Sequence, residues 1–443
     1  MKVGHGLAPL EVPVGTALGG YADRGQLSTG TADPLQVHAI TVQDGSLRWA
    51  LVVVDAICVN TDLTSLVDTQ ARAAGVDLVW TCATHTHSGP ETGCRPGGAP
   101  TPAPWLKVIS VAAAAAIAAA VASEEPARLQ QSTTKVPNVA SVRRFGDGLI
   151  DLPVDVLQVR STSGTDQLIG VLGILPIHPT VLPAASTVAS ADLHGAVRRA
   201  LGRALGSDSW VVMATGAAGD ISTRGVRRGR DLPECDRLAE LFSVAIQKTI
   251  RAIEVPASPT TGAGTSSRLL AWRSAPVMLR TAHHAPEEFG QGPGMEPDDP
   301  LSRQAYTLRQ AIESVSTITG TTEEITAWVH VLRMGDLTFV GLPGEPFLDL
   351  REQLEALVAS DGNGRASRAL LLLGYVNGYV GYLPTRSAYE VPCYESVVSP
   401  IAPGESERLV ATAAGLSAYL NRAPGDPVAH IHAQYPTKES PSV

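Results

Sequence analysis

The chain has 443 residues, enough for one large α/β unit or for two to three average domains. It is 44% hydrophobic and 17% charged, so it is globular and able to bury a large core. The net charge of −9 argues against nucleic acid or an anionic membrane as the main partner. Five scattered cysteines, none in Cys-x-x-Cys spacing, exclude a disulfide framework and suit a reducing compartment. Met1 to Gly6 carries no apolar signal core. The small-apolar run from Ile109 to Ala122 falls short of the roughly 20 residues that a membrane span needs. These features predict a soluble, cytoplasmic protein without stable membrane insertion. They leave its oligomeric state open.

Residues 1–35 are rich in Gly, Pro and Thr and read mostly as loop with at most one short strand. Val37–Val42 and Trp49–Val54 read as a strand pair around Asp44-Gly45-Ser46, ending at the carboxylate of Asp55. Thr61–Ala74 reads as a helix capped by Asn60 or Thr61, and Leu78–Ala83 as a buried strand. Trp105–Ser123 is an Ala-rich helix. Leu129–Val136, Val154–Val159 and Leu168–Pro176 are strands, the last running into Ile177-His178-Pro179-Thr180. A helix over Ala191–Leu205 precedes the strand Trp210–Ala214, which ends in Gly219-Asp220-Ile221-Ser222. Cys235–Ile253 is an amphipathic helix. Residues 256–264 read as a linker, 285–300 as an exposed acidic loop or lid, and 301–315 as a helix. Ile325–Met334 and Leu337–Leu342 pair around Gly335-Asp336 and run into Pro343-Gly344-Glu345. A helix over Leu348–Ala359, a strand over Ala369–Leu373 and a helix over Glu405–Leu420 follow. The recurring strand, helix and strand predict an α/β fold of mixed sheets flanked by helices. The expected layout is one large catalytic domain over 1–422 and a loose tail over 423–443.

Four of these apolar strands end in Gly/Pro turns that carry reactive side chains: His85 with His87, His178, Glu345, and the loop to Tyr382. A fifth delivers Asp220 and Ser222. Ligand-binding groups gather beyond strand ends in α/β sheets, so the metal or substrate site is expected there. His85 and His87, two residues apart, point to one side if the chain is still extended. Two histidines and a carboxylate form a common catalytic zinc set. There is no His-Glu-x-x-His, Gly-x-Ser-x-Gly or phosphate-loop motif. Asp55 reads as an orienter of a zinc histidine. His194, His283-His284, His430 and His432 read as structural or passive.

Ala83-Thr-His-Thr-His-Ser-Gly-Pro90 resembles the zinc motif of the neutral/alkaline (non-lysosomal) ceramidases. Further segments resemble that family in the same order: Gly19-Gly20-Tyr21, Val53-Val54-Asp55, His178-Pro179-Thr180 with Ser190-Ala191-Asp192, Gly219-Asp220-Ile221-Ser222, Pro343-Gly344-Glu345, and Asn377 to Tyr382 with Tyr394-Glu395. The resemblance spans roughly residues 3–400. It implies His85, His178, Glu345 and Tyr382 as ligands of Zn2+, with His87 touching substrate instead of metal. It places Ser222 beside the reacting amide, as nucleophile or positioning group. It assigns contacts to the amide oxygen to Tyr394 and to one of Arg143 and Arg144, with Arg144 taken as the candidate. Thr223 stands where those enzymes tend to have proline. They are also longer, with a C-terminal β-sandwich, and are usually exported or membrane-associated.

The expected activity is therefore zinc-dependent hydrolysis of an N-acyl amide, ceramidase-like in chemistry. Its substrate is expected to be a small-molecule or lipid-like amide other than membrane ceramide. The same centre run towards bond formation, as a transacylase or amide-forming cyclase, is the alternative.

Overall fold

The computed structural model describes residues 1–143, 148–164, 166–252, 270–282, 324–359, 369–391 and 393–422. The proposed linker at 256–264, the acidic loop at 285–300, the helix at 301–315 and the tail at 423–443 lie outside these residues.

In chain order the first strands are β1 (Lys2–Leu10), β2 (Gly30–Thr31), β3 (Leu35–Asp44), β4 (Leu47–Val54) and β5 (Leu78–Ala83). They are followed by β6 (Glu125–Val142), β7 (Gly148–Ser161), β8 (Leu168–Leu175), β9 (Val188–Ala189), β10 (Trp210–Thr215) and β11 (Ile221–Ser222). The later strands are β12 (Leu270–Arg280), β13 (Glu324–Met334), β14 (Leu337–Gly341), β15 (Glu345–Pro346), β16 (Ala369–Leu373) and β17 (Tyr382–Leu383). The helices are α1 (Thr61–Ala73), α2 (Ala103–Ala122), α3 (Asp192–Leu205), α4 (Leu232–Ala252), α5 (Leu348–Ala359), α6 (Ser387–Glu390), α7 (Tyr394–Val398) and α8 (Glu405–Arg422).

A nine-stranded sheet runs β10-β8-β7-β6-β1-β3-β4-β5, with β11 paired to β6. A four-stranded sheet runs β12-β13-β14-β16. The fold has four layers: helices, large sheet, small sheet, helices. The alternation of β4 shows why. Ala50, Val52 and Val54 join the core under α1 and α2. Trp49, Leu51 and Val53 join Trp80, Phe339 and Leu371 in the core between the two sheets. Both faces of β4 are buried, so the strand reads as a continuous apolar run. On the outer face of the small sheet, Val340 and Leu372 pack with Leu409 and Val410 of α8.

Parallel pairing occurs between β4 and β5, β8 and β10, and β14 and β16. Each pair is joined by a crossover helix, α1, α3 or α5. The ends of these strands lead into the turns that carry His85, His178, Asp220, Glu345 and the Tyr375–Tyr382 loop. Asn377 ties the two sheets beside these turns. Its amide donates to Thr81 O and its side-chain oxygen accepts from Thr81 N, both at 2.8 Å.

The structure departs from the sequence reading at β1, a nine-residue strand between β6 and β3 where mostly loop was expected. It also adds β12, which pairs along its whole length with β13. Asn60 precedes α1, but its side chain turns away from a cap to donate to Thr92 O at 2.8 Å. Helix α2, expected over Trp105–Ser123, begins two residues earlier and, at 20 residues, is apolar enough by length and composition to cross a bilayer. One face of it, with Ile109, Ala113, Ala116, Ile117 and Ala120, packs into the core.

That packing explains two glycines in β1. A Cβ on Gly4 would sit 1.9 Å from Ala120 O, and one on Gly6 would sit 2.0 Å from Ala116 O. Both obstacles are helix backbone, so strand and helix must part to admit a methyl group. Gly6→Ala is expected to destabilise the fold by about 1–3 kcal/mol. The readout is the urea midpoint, and an unchanged midpoint would contradict so close an approach.

Burial also makes stability depend on pH. It pushes the imidazoles of His5 and His330 down to about 4. Near neutral pH both are uncharged in either state. As pH falls from about 6.5, the unfolded chain takes up protons that the folded chain refuses, so stability drops until pH passes about 4. The expected loss is on the order of 2–3 kcal/mol per histidine. Denaturant unfolding at pH 7.5 and 4.5 should show it, and His330→Asn should shrink the difference. An equal pH dependence in that variant would remove His330 from the account.

Candidate metal centre

Strand β5 ends at Ala83, and His85 adopts φ +62°. The His85–His87 pair therefore meets through a left-handed turn and not through strand alternation. The two rings stand nearly perpendicular with centroids 4.9 Å apart. Gly20, at φ +93°, lies over His87, where a Cβ would meet the ring at 2.4 Å. Tyr21 packs edge-on to the same imidazole and ties the turn down by donating to Leu182 O at 2.7 Å. His178 follows β8. Its loop is held by the Asp192 carboxylate, which accepts from the amides of Val181 at 3.1 Å and Leu182 at 3.0 Å.

Glu345 is gripped from both sides. Its Oε1 accepts from Tyr379 OH at 2.5 Å and its Oε2 from Tyr375 OH at 3.4 Å. Tyr375 stacks on His85 with centroids 4.4 Å apart, and both Tyr375 and Asn377 have positive φ. Such backbone strain persists where surrounding contacts over-determine it, as at binding sites. Neither Tyr375 nor Tyr379 was singled out from sequence. Their signal is the run Gly374-Tyr-Val-Asn-Gly-Tyr-Val-Gly-Tyr382.

The orientation of the two histidines decides what the centre can hold. His85 Nδ1 lies 2.6 Å from Ile57 O, and His178 Nδ1 lies 2.6 Å from Ala218 O. A carbonyl can only accept, so each Nδ1 carries the proton and each Nε2 presents a lone pair. Those lone pairs face Glu345 Oε2 at 3.4 Å and 3.0 Å. His87 Nε2 lies 3.3 Å from His85 Nε2, and His87 Nδ1 is buried without a partner. One nitrogen from each of His85, His87 and His178 lies within 4.8 Å of the others. A carboxylate and lone-pair nitrogens crowded together are a donor set for a cation, and the residues fit a metal ion.

The charge states agree with that fit. Burial and then Arg143 push His178 down to about 4. Burial, His85 and His178 push His87 well below its ordinary range. Burial works against the charge of Glu345, yet the facing His85 and His178 hold its carboxyl well below the ordinary value. Neutral imidazoles facing an ionised carboxylate are the forms that bind metal.

The cavity around this floor has a volume of about 600 Å³, within the usual small-molecule range. Arg143 enters from the end of β6. Its Nη1 donates to Tyr382 OH at 3.2 Å and lies 3.3 Å from His178 Nε2, while its Nε lies 2.9 Å from Glu395 Oε1. The guanidinium also lies 5.7 Å from the centre of the Tyr394 ring. Burial disfavours its charge, but Glu395 and then Tyr382 outweigh that and hold its pKa above the usual value. Burial raises Tyr382 well above 10 and Tyr394 to about 12, so both are proton donors at neutral pH.

The structure thus brings His85, His87, His178, Glu345, Tyr382 and Tyr394 together around one cavity. Arg143 is the arginine found there; Arg144 lies outside the described residues. Ser222 does not line the cavity. It is buried in β11, and its Oγ accepts from the Arg224 amide at 3.3 Å. Asp55 does not orient a histidine, a role taken by backbone carbonyls. It forms a buried ion pair with Arg198 at 2.8 Å and accepts from the Gln36 amide. His194 is buried, with Nε2 3.1 Å from Thr215 Oγ1. His283, His284, His430 and His432 lie outside the described residues.

No protein-family model matches the chain, and no curated protein matches it. Solved structures do. The neutral ceramidase from Pseudomonas aeruginosa superposes over 97% of this chain and 76% of its own, with a TM-score of 0.73 and 18% identity. The fold is that of neutral ceramidase. A ceramidase complexed with C2 superposes over the same shares, with a TM-score of 0.74 and 17% identity. At that identity the ceramidase likeness establishes the architecture, and the chemistry rests on the site itself.

Proposed function

We propose that the protein is a zinc-dependent amidohydrolase that cleaves an N-acyl amide. One observation carries the reading: the lone pairs of His85 and His178 converge on the Glu345 carboxylate, at 3.0–3.4 Å, on the floor of a small-molecule cavity. His85, His178 and Glu345 would hold the ion, with Tyr382 beside them. Zinc, when bound, supplies Lewis acidity that polarises a carbonyl and makes water ionise near neutral pH. Arg143 and Tyr394 stand where charge would develop on the amide oxygen and donate to it. A neutral His87 takes a proton from the attacking water and returns it to the amine nitrogen as the C–N bond breaks. The products are a carboxylic acid and an amine.

The cavity wall includes Asp23, Glu91 and four arginines. These charged side chains suit a water-soluble amide better than the hydrocarbon chains of bilayer ceramide. The free cysteines suit a reducing compartment, and we place the protein in the cytoplasm on that ground. The test is release of free amine from short-chain N-acyl amines and from micellar ceramide by fully zinc-loaded protein. Cleavage of the soluble amides is expected. Turnover of ceramide alone would make the protein a ceramidase in substrate as well as fold, and no cleavage of any amide would end the reading.

A further inference from the structure

Between β11 and α4 the chain reads Thr223-Arg-Gly-Val-Arg-Arg-Gly-Arg-Asp231. The amides of Val226 and Arg227 both donate to Thr223 O, at 3.0 Å and 2.8 Å, closing a single turn. Residues three apart on such a turn share a side. Arg224 and Arg227 accordingly both line the cavity, joined by Arg230, whereas Arg228 does not. Arg227 Nη1 donates to Thr180 O at 3.0 Å, which fixes this wall to the His178 loop.

These three cations lack the carboxylate partners that many arginines of the fold have. Among the described residues none of Arg224, Arg227 and Arg230 makes an ion pair. The nearby carboxylates are already engaged. Glu395 pairs with Arg143, and Glu234 pairs with Arg237 at 2.6 Å. Glu91 accepts from the amides of Gly93 at 2.7 Å and Cys94 at 2.9 Å. The other carboxylates on the cavity wall are Glu345, which faces His85 and His178, and Asp23, which is exposed. Arg224 and Arg230 are exposed and Arg227 is half-buried. Partial burial and then a neighbouring arginine, Arg143 for Arg224 and Arg230 for Arg227, lower the pKa of Arg224 and Arg227. Cations that disfavour one another at a cavity mouth, in a chain of net charge −9, form a site whose missing member is an anion.

We propose that Arg224, Arg227 and Arg230 bind an anionic group, a carboxylate or a phosphate, carried by the amide substrate. The inference rests on the reading of this cavity as an amidase site. It sets the substrate class as an N-acyl amide with a negative charge within reach of the scissile bond. Guanidinium suits either anion through paired N–H donors.

The test uses the full chain, loaded with zinc, and three soluble amides sharing one short acyl group. These are an N-acyl amino acid, an N-acyl phosphoethanolamine and a neutral N-acyl ethanolamine. The expected kcat/KM for one anionic substrate exceeds that for the neutral one by about tenfold or more, and the preferred arm separates carboxylate from phosphate. Arg224→Gln and Arg230→Gln should each cut that ratio by about tenfold, and added salt should compress it. A ratio near one in the wild type, or a ratio the variants leave unchanged, overturns the proposal. If no amide is cleaved, the amidase reading fails and binding decides the arginine site. Calorimetry with inorganic phosphate and N-acetylglycine should show binding to the wild type that weakens in both variants. No binding, or equal binding in all three proteins, refutes it.

Discussion

His178→Ala is expected to yield a folded chain without bound zinc, with kcat/KM lower by about a thousandfold or more. The imidazole is held by Ala218 O on Nδ1, which leaves the Nε2 lone pair facing the Glu345 carboxylate. Removing it takes away one lone pair from the set and leaves Glu345 with only His85 opposite. The loop itself should survive, because Asp192 holds it through the Val181 and Leu182 amides. His87→Ala should keep the metal and lose turnover. Tyr379→Phe removes the donor to Glu345 Oε1 and should weaken metal affinity by about 10–100-fold. Elemental analysis of the purified variants reads the metal, and the metal-induced rise in unfolding midpoint provides a second measure that does not depend on activity. A full zinc complement in His178→Ala would remove that residue from the ligand set.

The parts of the fold that were legible in the sequence are those buried on both faces. β4, β5, β8 and β10 are near-continuous apolar runs because helices cover one side and a second sheet covers the other. The turns after them were legible for the same reason: a reactive side chain directly after such a run stands out. β1 was obscured because Gly4 and Gly6, which resemble turn residues, are required by the close passage of α2. β12 follows no alternating pattern, its apolar residues being interrupted by Arg273-Ser274 and Pro276, so it gave no strand signal. Within the site, local pattern could not choose between Arg143 and Arg144, because the partners of Arg143, Tyr382 and Glu395, lie far along the chain. Asp55 looked like an orienter because it follows an apolar strand before the histidine motif. Its partner, Arg198, comes 143 residues later and no spacing rule connects them. The convergence of His85 and His87 depends on one left-handed residue, a backbone choice that the side-chain pattern does not encode.

Arg143→Ala is expected to damage both stability and turnover, and the two losses can be separated. The Arg143 and Glu395 side chains are only 8% and 2% exposed, so the guanidinium is what makes the Glu395 charge tolerable in the interior. Deleting it leaves a buried carboxylate without a counter-charge, which typically costs about 3–5 kcal/mol. Arg143→Met combined with Glu395→Leu removes both charges and fills the space with apolar atoms. Stability should then return to within about 1–2 kcal/mol of the wild type, since replacing a whole buried pair is often close to neutral. Turnover should not return. The cavity would still lack the donor between Tyr382 and Tyr394, and loss of one such donor lowers kcat by about 10²–10³-fold. Denaturant unfolding reads the first quantity and kcat at saturating substrate reads the second. A double variant that folds well and turns over at the wild-type rate would show that Arg143 serves only to neutralise Glu395. A loss confined to KM would move it from the reacting oxygen to substrate binding.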